Sequence, residues 1–130
     1  MARFAGGDNR GTEQLVPGTP YLVMESKPYL SYTLFQSILK AGREGLVISR
    51  QHPAKLRELG LSSKPNEIYW LSKSPGDRNI EATDIGGVLK CISSFIDRHH
   101  KSIVMLDGFK YLMVNNGFDT VLRLIQRLND

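Results

Sequence analysis

The chain has 130 residues, of which 41% are hydrophobic and 23% are charged, and its net charge is +4. This length and composition predict one globular domain, and no apolar run approaches the ~18 residues that a membrane helix needs. The single cysteine, Cys91, excludes an internal disulfide framework and favours a reducing compartment, so we expect a cytoplasmic protein without a secretory signal.

The first half of the chain is predicted to be an arm followed by two strands and two helices. Residues 1–18 have no periodic pattern and predict a flexible arm, whereas residues 19–130 are predicted to form a single α/β domain. In chain order the predicted elements are a strand at Tyr21–Met24, a helix from Leu30 to about Leu39, a strand at Gly45–Ser49 and a short helix at Ala54–Leu59, with Pro53 at its first turn.

The second half continues the alternation of strands and helices. A strand is predicted at Glu67–Leu71, then a loop over residues 72–79, and then a helix with Thr83 as its cap. The remaining elements are a strand at Ile103–Leu106, a short helix at Lys110–Val114 and a last helix from about Phe118 to Leu128. Its apolar residues are predicted to share one face: Phe118, Val121, Leu122, Ile125 and Leu128.

This order predicts the fold class. Strands that alternate with helices indicate a mostly parallel sheet covered on both faces. We therefore predict an α/β three-layer sandwich with a central sheet of about four strands.

Asp107 directly follows the apolar run Ile103–Leu106 and precedes Gly108. Such a run predicts a strand buried on both faces, and open α/β sheets place their chemistry at the carboxyl ends of strands. An acidic residue there is typical of a magnesium-binding carboxylate, which also requires a phosphate loop such as G-x-x-x-x-G-K-[ST]. The corresponding stretch, Glu25–Leu34, contains no glycine, so nucleotide hydrolysis is not favoured. The alternative is that Asp107 is a turn or helix-capping residue.

Two aromatic residues, Phe109 and Tyr111, come directly after this aspartate. A ring exposed beside Asp107 at the carboxyl edge of the sheet would favour a binding surface. For weak nucleotide binding, Asp107 would act together with Arg50 or Arg78. The candidate binding residues are therefore Asp107, Phe109, Tyr111, Arg50 and Arg78, and no catalytic residue is predicted.

Residues 40–64 carry the whole excess of positive charge. They contain six basic residues against Glu44 and Glu58, and the rest of the chain carries eleven charges of each sign. Such a region can contact phosphates or an acidic partner, and the alternative is a solvated helix face plus a loop. The basic residues are Lys40, Arg43, Arg50, Lys55, Arg57 and Lys64.

Cysteine and histidine do not form a recognisable chemical site in the sequence. Cys91 lies within the predicted helix that follows Thr83, with Lys90 as its only basic neighbour, so a structural thiol is expected. His99 and His100 are adjacent and would point ~100° apart on a helix, which makes a poor chelate. We expect no metal site and no cofactor.

Several stretches together carry a family resemblance. They are Tyr21–Val23, Gly45–Arg50, Ile68–Ser72, Ile103–Leu112, Asn116–Phe118 and Val121–Leu122. The combination of Leu-Asp-Gly with Asn-Gly-Phe is the most specific part. These stretches resemble an archaeal family, domain of unknown function family 835, over about Val16 to the C-terminus. Because that family occurs alone and attached to sensor and receiver modules, the resemblance implies a regulatory setting without a defined activity.

The chain is also distantly similar to RecA/KaiC-type ATPases. In that resemblance Ser102–Asp107 corresponds to the magnesium-site strand, and Ser31–Phe35 falls where Gly-Lys-Thr-Thr-Phe would open the first helix. The chain departs from the pattern at the residues that bind phosphate. The similarity therefore implies an ATPase-like sheet without its catalytic cradle.

The function predicted from these observations is a non-catalytic regulatory or protein-interaction module, and not an enzyme. The predicted partner is a protein, with a homodimer as one form, and no membrane is involved. Two alternatives stay open: binding of nucleic acid or a ribonucleoprotein through residues 40–64, and weak nucleotide binding at Asp107.

Overall fold

The computed structural model of the protein describes residues 3–5, 21–25, 29–58 and 67–128. Within these ranges the strands are β1 (Arg3–Ala5), β2 (Tyr21–Glu25), β3 (Glu44–Ser49), β4 (Glu67–Leu71), β5 (Asn79–Ile80) and β6 (Ser102–Asp107). The helices are α1 (Tyr29–Lys40), α2 (Pro53–Glu58), α3 (Ile85–Arg98), α4 (Phe109–Asn116) and α5 (Phe118–Leu128). None of these helices is long and apolar enough to cross a membrane.

The described strands form one parallel sheet in the order β1-β2-β6-β3-β4-β5. Strand β6 lies in the middle, where Val104 is opposite Leu22 of β2 and Leu46 of β3. Strands β3 and β6 are buried along almost their whole length, because helices cover both faces of a parallel sheet. The predicted four-stranded parallel sheet is confirmed, and two short edge strands, β1 and β5, extend it.

Two apolar clusters lie on opposite faces of the sheet. Leu46 and Ile48 of β3 pack into the cluster that includes α3, α4 and α5. Val47, which lies between them, packs into the cluster that includes α1 and α2, around Phe35 and Leu56. Because alternate residues of a strand point to opposite faces, this arrangement confirms the predicted three-layer sandwich.

Strand β1 lies within the stretch predicted to be an arm. Arg3–Ala5 pairs with Tyr21–Val23 of β2. The remainder of the predicted arm, residues 1–2 and 6–18, lies outside the described residues.

The start of α3 differs from the prediction by one residue. Asp84, and not Thr83, is the N-cap, and its carboxylate accepts a hydrogen bond of 2.9 Å from the Gly87 amide. Both residue types favour this position, so local sequence could not separate them. The helix α2 begins at Pro53 as its first residue, and the predicted end at Leu59 lies outside the described residues.

Candidate functional site

The carboxyl ends of β3 and β6 are joined by side-chain hydrogen bonds. Ser49 and Asp107 are register partners. The buried Ser49 hydroxyl donates to Asp107 Oδ2 at 2.7 Å and accepts from the Gln51 amide at 2.9 Å. The Arg50 amide donates to the Asp107 carbonyl oxygen at 3.2 Å. The Asp107 carboxylate therefore takes part in holding the ends of two central strands together.

Asp107 lies one residue before the N-cap position of the helix that follows it, α4. The N-cap of α4 is Gly108, with φ +109° and no side-chain capping bond. A Cβ at this position would lie 3.3 Å from both Arg50 Cβ and a Leu71 methyl carbon. Glycine is therefore required both by the left-handed backbone and by the close approach of β3 and β4.

Arg50 lies between two aromatic residues at this edge. Its guanidinium carbon is 4.2 Å from the centroid of the half-buried Tyr111 ring, within range for a cation–π interaction. Its carbonyl oxygen accepts a 3.0 Å hydrogen bond from the Trp70 indole. The exposed His52 ring meets Trp70 edge-on at a centroid distance of 4.9 Å. Arg50 and Tyr111 are thus brought together, and Trp70 and His52 were not predicted to join them.

Phe109 contributes less to the edge than the sequence suggested. Its ring is half-buried and packs against the core cluster on the α3–α5 face. Of the two aromatic residues after Asp107, only Tyr111 contacts a charged group at this edge through its ring.

Arg78 belongs to a different cluster, around Glu67 at the start of β4. The Glu67 carboxylate, whose side chain is 14% exposed, lies 3.7 Å from the Arg78 guanidinium and 3.1 Å from that of Arg98. It also accepts a 3.2 Å hydrogen bond from the Tyr69 hydroxyl. The structure therefore does not bring Arg78 to Asp107.

Cys91 is close to this second cluster. Burial is the largest influence and raises the pKa of its thiol from 9.0 to about 11, although the charges of Arg98 and Arg78 act in the opposite direction. Burial also raises the pKa of Tyr69. The sequence had indicated only Lys90 as a basic neighbour, because the two arginines are distant along the chain. A protonated thiol is a poor nucleophile, so the expectation of a structural cysteine agrees with its surroundings.

Three large apolar side chains, one on α4 and two on α5, are exposed and are called the exposed row. Val114, Phe118 and Leu122 are 79%, 60% and 38% exposed. Phe118 and Leu122, which the sequence places on the same face of the last helix as Val121, are exposed. The buried residues of α5 are instead Val121, Leu124 and Leu128. Leu122 lies ~100° around the helix axis from Val121, which directs it away from the core.

The comparisons with known proteins give one result. A family model described as "Protein of unknown function (DUF835)" matches residues 24–130. The chain belongs to this family. No curated protein and no solved structure matches it. The DUF835 match covers the edge around Asp107, the Glu67 cluster and the exposed row.

The residues of the DUF835 domain that were predicted to form a basic patch lie on either side of β3 in the chain. Lys40 ends α1, and the Arg43 guanidinium donates to the Ser102 carbonyl oxygen beside the start of β3. Lys55 and Arg57 lie on α2, after the end of β3. A strand of six residues is about 20 Å long. Lys40 and Arg43 therefore lie in sequence before β3 and the basic residues of α2 after it, and the last member of the predicted patch, Lys64, lies outside the described residues.

The part of the DUF835 domain that the structure describes contains no group of three histidine, cysteine or acidic residues arranged to hold a metal ion. His99 Nδ1 instead pairs with the Glu44 carboxylate, and its ring packs against Phe95 at 4.3 Å between centroids. This histidine connects the end of α3 to the start of β3.

Proposed function

We propose that this DUF835 domain is a non-catalytic regulatory module that binds a protein partner through α4 and α5. The observation that carries the proposal is the exposed apolar row, Val114, Phe118 and Leu122. Burial of apolar surface contributes about 25 cal/mol per Å², and an exposed apolar patch commonly marks an interaction site. A partner that covers this row would remove it from water.

The short connection between β2 and α1 supports the non-catalytic part of the proposal. Strand β2 ends at Glu25 and α1 begins at Tyr29, which leaves only positions 26, 27 and 28 between them. The G-x-x-x-x-G-K-[ST] loop that wraps a phosphate chain is longer than this connection. The engagement of Asp107 by Ser49 further supports a structural role for this carboxylate.

The proposal also keeps the wider setting predicted from the sequence. In it the domain is cytoplasmic and acts in archaeal signalling, with a RecA/KaiC-type sheet that lacks the phosphate cradle. The central position of β6 and the location of Asp107 at its carboxyl end support this likeness.

A photo-crosslinking residue placed at the exposed row tests the proposed function. p-Benzoylphenylalanine would replace Phe118 in one variant and the exposed Lys90 of α3 in a matched control. After irradiation in the native cell, we expect a defined protein adduct at position 118, identified by mass spectrometry, and none at position 90. Absence of an adduct at 118, or the same adducts at both positions, would refute the proposal.

A further inference from the structure

The outer face of α5 has a charge pattern that is complementary to itself. We infer that the partner of this face is a second copy of the chain, and that two α5 helices pack antiparallel across a two-fold axis. This inference rests on the proposed function, because it names the protein that covers the exposed row. It is carried by four exposed residues, Phe118, Asp119, Leu122 and Arg123.

The spacing of these residues fits a single two-fold axis. In an antiparallel pair of identical helices, residues at equal distances from the axis meet each other. The midpoint between Asp119 and Arg123 is position 121, and the midpoint between Phe118 and Leu122 is position 120. The two midpoints differ by one residue, which is about 1.5 Å along a helix. One axis therefore brings both pairs into register.

The resulting contacts are complementary in charge and in polarity. Asp119 of each copy faces Arg123 of the other, which gives two symmetric ion pairs. Phe118 of each copy packs on Leu122 of the other, beside these pairs. Opposite charges beside apolar contacts fix the register of two helices and exclude the parallel arrangement, in which like charges would lie side by side.

Both charged residues are available for such contacts. The ion pairs and side-chain hydrogen bonds within the described residues do not involve Asp119 or Arg123. The inner face of α5 is already used, because Val121, Leu124 and Leu128 are buried in the domain. Since the interface centres on one helix of 11 residues per copy, we expect a weak dimer whose population depends on concentration.

Charge reversal and charge exchange, followed by sedimentation velocity over a range of concentrations, test this arrangement. Asp119→Arg or Arg123→Asp alone replaces both ion pairs by repulsive contacts, and each is expected to raise the dimer dissociation constant by about tenfold or more. The double variant Asp119→Arg/Arg123→Asp restores opposite charges across the axis and is expected to restore dimerisation. Phe118→Glu should give a monomer. Lys90→Glu on α3 changes the net charge by the same amount as Arg123→Asp and serves as the control for that variant.

The double variant also separates dimerisation from helix stability. Asp119 lies in the first turn of α5, where a negative charge interacts favourably with the helix dipole. Asp119→Arg therefore weakens the helix within each copy. The double variant keeps this arginine, so the loss of thermal stability should persist while dimerisation returns.

Each outcome decides between the two proposals. If each single charge reversal weakens the dimer and the double variant restores it, the inference is supported. A wild-type monomer that nevertheless gives an adduct with a different protein at position 118 overturns self-association and leaves the proposed function intact. A monomer without any adduct refutes both. A dimer that is insensitive to the exchange is formed elsewhere and overturns the α5 interface.

Discussion

Ser49 and Asp107 connect two strands whose ends lie 58 positions apart in sequence. The serine hydroxyl is fully buried, donates to the aspartate and accepts from the Gln51 amide. Both of its hydrogen-bonding roles are therefore filled within the protein. This arrangement explains how a carboxylate at the end of a buried strand can have a structural role.

Ser49→Ala is expected to destabilise the domain by about 1–3 kcal/mol, because it removes two hydrogen bonds of a buried hydroxyl, one to the Asp107 carboxylate and one from the Gln51 amide. Urea denaturation would measure the change in the free energy of unfolding. The control is Ser37→Ala on the exposed side of α1, where the hydroxyl bonds only to a carbonyl oxygen of its own helix. Equal effects at the two serines would contradict the structural role of Ser49.

The Cys91 thiol gives a prediction for alkaline pH. Its pKa is 9.0 in an exposed chain and about 11 in the folded domain. Below pH 9 the thiol is protonated in both states and its contribution to stability is fully present. Between pH 9 and about 11 the unfolded chain loses the proton while the folded domain keeps it, so stability falls as the pH rises.

Cys91→Ala should therefore lose less stability than the wild type across this window. The measurement is urea denaturation of both proteins on either side of it. Tyr69, whose pKa burial also raises, is present in both proteins, so the difference between them reports the thiol. Identical pH dependence in the two proteins would be incompatible with a half-buried Cys91 that keeps its proton in the folded domain.

At the scale of the element, α3 shows how one residue decides where a helix begins. Asp84→Ala removes the carboxylate that accepts from the Gly87 amide and is expected to cost about 0.5–2 kcal/mol. Thr83→Ala is the matched control, because Thr83 is exposed and lies outside the cap. Thermal unfolding should separate the two variants. A larger loss for Thr83→Ala would show that the helix begins one residue earlier.

Helix α5 shows the limit of periodicity as a guide to burial. Its apolar residues extend over more than one face, so the pattern alone could not show which of them contact the sheet. Packing against α3 and α4 buries Val121 and Leu124 and leaves Phe118 and Leu122 exposed. Which apolar residues of α5 are buried therefore depends on where the neighbouring helices lie, and the local sequence pattern does not contain that information.

At the scale of the molecule, the parallel sheet was predictable because its inner strands are nearly continuous apolar runs. These runs predict strands that are buried on both faces of the sheet, at Gly45–Ser49 and Ile103–Leu106. Both are central strands in the structure. Strand β5 was not predictable, because its two residues, Asn79 and Ile80, follow a Pro-Gly-Asp turn and gain their order from hydrogen bonds with β4.

The candidate site was predictable only in part. The location of Asp107 at the carboxyl end of a central strand followed from the apolar run before it. Its bond to Ser49, the stacking of Arg50 on Tyr111 and the separation of Arg78 all depend on which strands are neighbours. The sequence pattern predicts that strands alternate with helices, but it does not predict the order of the strands in the sheet. These contacts could therefore be identified only from the structure.

The central claim, a non-catalytic module that associates through α5, is tested most directly by amide NMR spectra of the whole chain. The spectra would be recorded during dilution and during addition of MgATP. We predict that dilution shifts the signals of Phe118–Arg123 and that MgATP leaves Gln51 and Gly108 unchanged. Shifts at Gln51 and Gly108 with MgATP, together with an α5 that does not respond to dilution, would contradict the account.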